Sequence, residues 1–256
     1  MYKEVTAEYW RKYLGLSENY QVEAVLIYGA FGGQPHVEKF LLMLKTFGIP
    51  GELTRIGLLG NVFEFKYKNR NYWFIVAYGT TVLSENLHIV SMFGSKKNIH
   101  IGSCGGLYKE ANAADFIIPT FSYGNESTTR MYERQNETNE HFSNKELSKK
   151  LRDRINSSFT IHEGPVISIQ AMLAETAEDV QKWSEAGYFG VEMETATIFA
   201  MSNHFHIPSA AIVYVHDNLI KGQIVGDERH IQEKDLRDKT KDEIYRVAVS
   251  ELLDLP

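Results

Sequence analysis

The chain has 256 residues, enough to bury a proper core in one large α/β domain or two small ones. Apolar residues make up 43% and charged residues 23%, and a net charge of -6 without a dense Lys/Arg run argues against a nucleic-acid-binding surface. Cys104 is the single cysteine, which excludes an internal disulfide; no Cys/His cluster has zinc spacing, and no apolar run approaches the roughly 18 residues of a membrane span. The stretch MYKEVTAEYWRKYLG lacks the apolar core of a secretory leader, so the expectation is a soluble, cytoplasmic, metal-free protein.

In chain order, residues 1–20 read as an N-terminal extension, and EAVLIYG (Glu23 to Gly29) as a buried strand ending in glycine. PHVEKFLLMLKTFG follows with Val37, Phe40, Leu41 and Leu44 at helical spacing, Pro35 near its start, and Gly48 and Pro50 after it. VFEFKYKNRNYWFIVAYG has aromatic and β-branched residues on both sides of the polar turn KNRN and predicts a hairpin. Residues 82–94 predict a helix, and NIHIGSCGGL (Asn98 to Leu107) a strand running into a glycine-rich turn. DFIIPT and GPVISIQ are further strands, and EDVQKWSEAG is a helix closed by Gly187. A helix from Glu192 to Phe205, the strand IPSAAIVYVHD and an amphipathic terminal helix DEIYRVAVSELLDL complete the order. The polar, aliphatic-poor segment 122–146 reads as a long surface loop. Strands alternating with helices predict a single α/β domain over 1–256: three layers, α/β/α, around a central mixed sheet.

In such sheets ligands gather beyond the carboxyl ends of the strands. The strand ends to search are YGAFGG, YGTTVLSENLH, HIGSCGGL, SIQAM and VHDN; separately, GVEMETATIFA places Glu192 and Glu194 in a segment otherwise small and apolar, with no base nearer than Lys182. Buried carboxylates need partners. A polar ligand is one candidate, and the dipole of a helix N-terminus is another. The spacing does not choose, because residues i and i+2 share a face on a strand but diverge on a helix.

IGSCGGL, GVEMETA and VHDN, together with VLIYG near the start and YGTTVLS, resemble in this order the motifs of the nucleoside phosphorylase superfamily. That superfamily includes purine nucleoside phosphorylases, uridine phosphorylases and related nucleosidases. The resemblance runs from about Val22 to the terminal helix. It implies that Glu194 binds the ribose hydroxyls, which a carboxylate can accept as a pair, with Met193 packed on the sugar and Glu192 assisting. It implies that Asp217, the aspartate of the purine-cleaving members, protonates the leaving base. Arg229 in GDERH stands one residue from the position of an arginine that assists the acid; His216 and Asn218 flank Asp217, and the sequence does not say which faces the pocket. The base is expected near SIQAM, at Met172 and Gln170.

The phosphate site departs from the family pattern. The first loop is GAFGG, without arginine, and the position of a second arginine is His100. Gly29, His100, Ser103, Ser84 and Arg55 (the last contributed by a neighbouring subunit) are the residues left to hold phosphate or a water nucleophile. Arginine binds phosphate through a permanently charged fork, which histidine does not match; consecutive backbone N–H groups of the glycine loop compensate in part. The loop YGNESTTRMY resembles a family segment over the 5′ side of the sugar, with Arg130 a contact. The expectation is therefore phosphorolysis of a purine nucleoside to base and ribose 1-phosphate, with no cofactor and phosphate as co-substrate. Nucleoside or nucleotide hydrolysis is the alternative, and a non-catalytic nucleoside-binding protein a third reading. The expected partners are a small-molecule nucleoside and further copies of the chain, as a hexamer or dimer with a shared active site, but no nucleic acid and no membrane.

Overall fold

The run AVLIYG is apolar almost throughout and buried on both faces, as a central parallel strand must be. In the computed structural model, which describes residues 4–30 and 33–256, this strand is β1 (Ala24–Gly29). It pairs in parallel with β4 (Arg70–Ala77) on one side and β5 (Asn98–Gly106) on the other. Its successive residues enter different cores. Ala24, Leu26 and Tyr28 pack with α2 (Gln34–Thr46), α5 (Lys145–Asp153) and α9 (Lys234–Leu252). Val25 and Ile27 pack with α3 (Thr80–Met92) and α7 (Thr195–His204). Helices thus cover both faces, and the three-layer arrangement with a mixed sheet is the one expected.

Among the described residues the sheet has ten strands. β3 (Val62–Tyr67) pairs antiparallel with β4 across the predicted turn, where Lys68 and Asn69 take positive φ, and β2 (Thr54–Arg55) lies on its outer edge. Towards the other edge, β5, β9 (Gly190–Glu192), β8 (Ile161–Ser168), β6 (Phe116–Tyr123) and β10 (Ser209–Asn218) pair in a closed ring, because β10 bonds both β6 and β5. The parallel strands β1, β5 and β10 end side by side.

The structure differs from the sequence reading in three places and adds detail in a fourth. Glu192 belongs to β9, and α7 begins only at Thr195. The polar segment 122–146 is not a structureless loop: it forms α4 (Ser127–Tyr132), β7 (Glu140–Phe142), paired to β6, and the start of α5. Side-chain hydrogen bonds supply what aliphatic burial does not, with Glu126 accepting from Thr197 Oγ1 at 2.6 Å and the buried His141 bonded to Glu133. The terminal helix starts eight residues early, at Lys234, its polar first turns tied by Lys234–Asp238. The N-terminal extension includes α1 (Ala7–Tyr13), capped by Thr6, with Trp10, Leu14 and Leu16 against the α3 side of the core. Among the described residues, no helix is long and apolar enough to cross a membrane.

Candidate active site

A cavity of about 480 Å³ opens at the carboxyl ends of the parallel strands. Gly29 from β1, Ser103 from β5 and Asp217 from β10 line it, closed over by Met193, Glu194 and Met172. Among its described lining residues there is no arginine or lysine.

Glu194 occupies the residue before α7 and is 5% exposed. Its Oε1 accepts from the backbone N–H of Gly79 at 2.5 Å. Its Oε2 approaches the end of β1 so closely that a Cβ on Gly29 would lie 2.5 Å from it and 2.9 Å from His100 Nε2. A side chain there would displace the Glu194 carboxylate. Burial, and then the charge of Glu192, push the Glu194 carboxyl up to about 8.

Glu192 is held differently. Its Oε2 accepts from the N–H groups of Glu194 at 2.8 Å and Thr195 at 2.7 Å, and Ser168 Oγ donates to Oε1. Burial raises its pKa against these donors. Glu192 lines the cavity while serving as the anion at the start of α7.

His100 is 1% exposed, its Nδ1 is 3.1 Å from Thr195 Oγ1, and its Nε2 has no hydrogen-bond partner. Burial lowers its pKa to about 3, so the ring is neutral at ordinary pH. His100, Glu192 and Glu194 bring oxygen and nitrogen atoms within 4.8 Å of one another. Glu194 Oε2 and His100 Nε2 both pack closely against Gly29.

Asp217 is 7% exposed. A bulge between Val215 and Asp217 in the pairing of β10 with β5 lets consecutive residues, His216 and Asp217, face the same cavity, which a regular strand forbids. His216 Nδ1 lies 3.6 Å from Asp217 Oδ1. Asn218 instead holds the turn, donating to the carbonyls of Tyr108 and Ala111 at 2.9 Å.

The remaining expected residues are not brought together in a single chain. Arg229 lies on α8 (Glu228–Gln232), half-exposed and paired with Glu233 at 3.1 Å, off the cavity lining. The buried arginine in this region is Arg237 of α9, 3% exposed, with Nη2 donating to the His230 carbonyl and Nη1 unpartnered. Sequence reasoning passed over it because it sits in the polar start of an amphipathic helix; a lone arginine on the face that carries Ile244 and Val247 was the available signal. Gln170 is a structural tie, accepting from Thr80 Oγ1 at 3.0 Å and donating to the Met193 carbonyl at 3.2 Å. Ser84 Oγ donates to the Thr81 carbonyl within α3. Arg55 is exposed on the edge strand β2, over the Phe63 ring, and Arg130 is exposed on α4. Of the GAFGG loop, Phe31 and Gly32 lie outside the described residues. A lining residue the sequence did not single out is Glu175.

Residues 78–253 match the family model of the phosphorylase superfamily, more than half of the chain. The chain belongs to that superfamily. Guanosine phosphorylase from Halorubrum lacusprofundi is 28% identical over 214 residues, covering 78% of this chain and 86% of that protein. Purine nucleoside phosphorylase DeoD-type from Clostridium beijerinckii is 26% identical over 161 residues, covering 62% and 68%. The crystal structure of uridine phosphorylase from Vibrio fischeri ES114 superposes with a TM-score of 0.75 at 17% identity, over 91% of this chain and 93% of that one. That last likeness establishes the nucleoside phosphorylase fold.

Proposed function

We propose that the protein cleaves the N-glycosidic bond of a purine nucleoside by phosphorolysis, releasing the base and ribose 1-phosphate. The observation that carries this reading is one cavity with Glu194 over the end of β1 and Asp217 at the end of β10, β5 lying between them. A carboxylate at Glu194 accepts hydrogen bonds from the ribose 2′ and 3′ hydroxyls, and those donors favour its ionised form despite burial. Asp217 gives its proton to the base as the bond from C1′ to nitrogen breaks and its electron pair goes to the base. A phosphate oxygen then bonds to C1′. Ser103, which lines the cavity, is assigned to the phosphate, and Arg237, buried and donating to the His230 carbonyl, to the support of the acid. The names of the two sequence relatives support phosphorolysis.

Hydrolysis is the second reading, and a specific observation favours it. The described cavity lining carries Glu192, Glu194 and Asp217 and no arginine or lysine; a phosphate anion meets repulsion there that water does not. Incubation of guanosine, inosine, adenosine, uridine and AMP with and without phosphate, followed by chromatography, separates the two. Phosphorolysis requires purine release that depends on phosphate and yields ribose 1-phosphate. Equal release without phosphate establishes a nucleosidase, and no release from any substrate leaves a binding protein.

A further inference from the structure

Among the described residues, one group of three acid or imidazole side chains brings its donor atoms within 4.8 Å of one another: His100, Glu192 and Glu194. All three are buried, and Nε2 of His100 has no hydrogen-bond partner. We propose that they form a divalent metal site of the zinc class, with His100 Nε2 and Glu194 Oε2 as principal ligands and Glu192 as the third.

The hydrogen bonds around the ring decide which nitrogen is free. His100 Nδ1 lies 3.1 Å from Thr195 Oγ1. The Thr195 hydroxyl also bonds the Glu192 carboxylate, which can only accept, so Oγ1 in turn receives the proton on Nδ1. Nε2 is left with a bare lone pair, and an imidazole oriented through its other nitrogen is the form in which histidine binds metals. The same atom meets Glu194: a Cβ on Gly29 would lie 2.9 Å from Nε2 and 2.5 Å from Glu194 Oε2. Two acceptors brought this close repel unless a proton or a cation stands between them.

The surrounding charge favours the cation. Burial opposes ionisation of both acids, and Glu192 opposes that of Glu194, while no arginine or lysine is among the described cavity-lining residues. A dication offsets two neighbouring carboxylates where a proton offsets one. An imidazole with carboxylate oxygens suits zinc or cobalt ahead of magnesium or calcium, which take oxygen donors. Glu192 Oε1 accepts from Ser168 and keeps a second lone pair for the ion. Gly29, Glu192 and Glu194 line the cavity, so hydroxyl or phosphate oxygens there can complete the coordination shell. The ion thus brings positive charge to residue 100, where the family pattern has an arginine. Local spacing could not show the site, because its ligands come from β5, from β9 and from the residue before α7.

In the test, chelator-treated protein is reloaded with zinc alone, without nucleoside, and the bound metal is counted after dialysis and read by X-ray absorption. One zinc per chain is expected, in a shell of one imidazole and oxygens at about 2.0–2.2 Å, with a thermal midpoint that rises with zinc concentration. Thr195→Val, which removes the acceptor of Nδ1–H, is expected to weaken zinc binding by about 10- to 100-fold, and His100→Ala by more than that. A wild type that binds no zinc leaves only a proton between the two atoms and overturns the assignment. Equal binding by the wild type and His100→Ala also overturns it. Should the variants fail to fold, the wild-type spectrum decides: one imidazole with oxygens supports the site, and two or more imidazoles, or sulfur, sink it. Because no nucleoside is present, this outcome is separate from that of the phosphorolysis assay.

Discussion

Glu194 and Glu192 are two residues apart, equally buried, and chemically unlike. Three donors engage Glu192, whereas Glu194 is held by the backbone N–H groups of Gly79 and Met193 and lines the cavity. The contrast has a pH signature. The folded-state pKa of Glu194, about 8, lies above its ordinary 4.5, so the folded protein binds a proton that the unfolded chain releases. The stability this contributes is full below about 4.5 and is lost as pH rises through about 8. Glu194→Gln keeps an acceptor for Gly79 N–H and cannot ionise. Its thermal midpoint relative to the wild type is therefore expected to be higher at about pH 8 than at about pH 5. A difference independent of pH would mean that Glu194 is ionised throughout.

At the scale of elements, the short β9 and α7 form one device. β9 seats Glu192 beside β8, and its carboxylate then caps the first turn of α7, whose Ile198, Phe199 and Met201 fill the core beneath the cavity. Removing the carboxylate strands the Glu194 and Thr195 N–H groups in a buried place. Glu192→Ala is expected to destabilise the fold by roughly 1–3 kcal/mol, with Glu192→Gln in between, as read by urea unfolding. A loss of activity with unchanged stability would instead make Glu192 a direct ligand contact. The bulge in β10 is the second such device: it turns His216 and Asp217 toward one cavity, and no residue type in VYVHDN announces it.

For the whole molecule, the position of Arg55 sets the question. It lies on an edge strand and does not line its own chain's cavity, so any role at the reaction centre requires a second copy. A shared site predicts complementation. Arg55→Ala and Asp217→Asn, the latter expected to lose about 10²-fold in turnover, should regain activity when unfolded together and co-refolded, because some sites then combine Arg55 of one chain with Asp217 of the other. Light scattering should show more than one copy per particle. A monomer, or mixtures no more active than their parts, would remove Arg55 from the site.

Periodicity alone made the three layers legible, because each β1 residue must choose a face and the helices around it carry apolar stripes. The carboxylates Glu194 and Asp217 were legible through their motifs. The polar segment 122–146 was not, since its order comes from side-chain partners far away in the chain, such as Thr197 for Glu126. The same limit applies to Arg229 and Arg237: sequence distance from Asp217 favoured the first, while burial on α9 distinguishes the second. The sequence by itself determined the fold class and offered Glu194 and Asp217 as candidates, because hydrophobic spacing and motif chemistry are local properties. Tertiary structure alone decided how each acid is hydrogen-bonded, that His100 is neutral beside Gly29, and that Glu175 joins Asp217. Those depend on burial and on contacts between strands distant in sequence, which no spacing encodes.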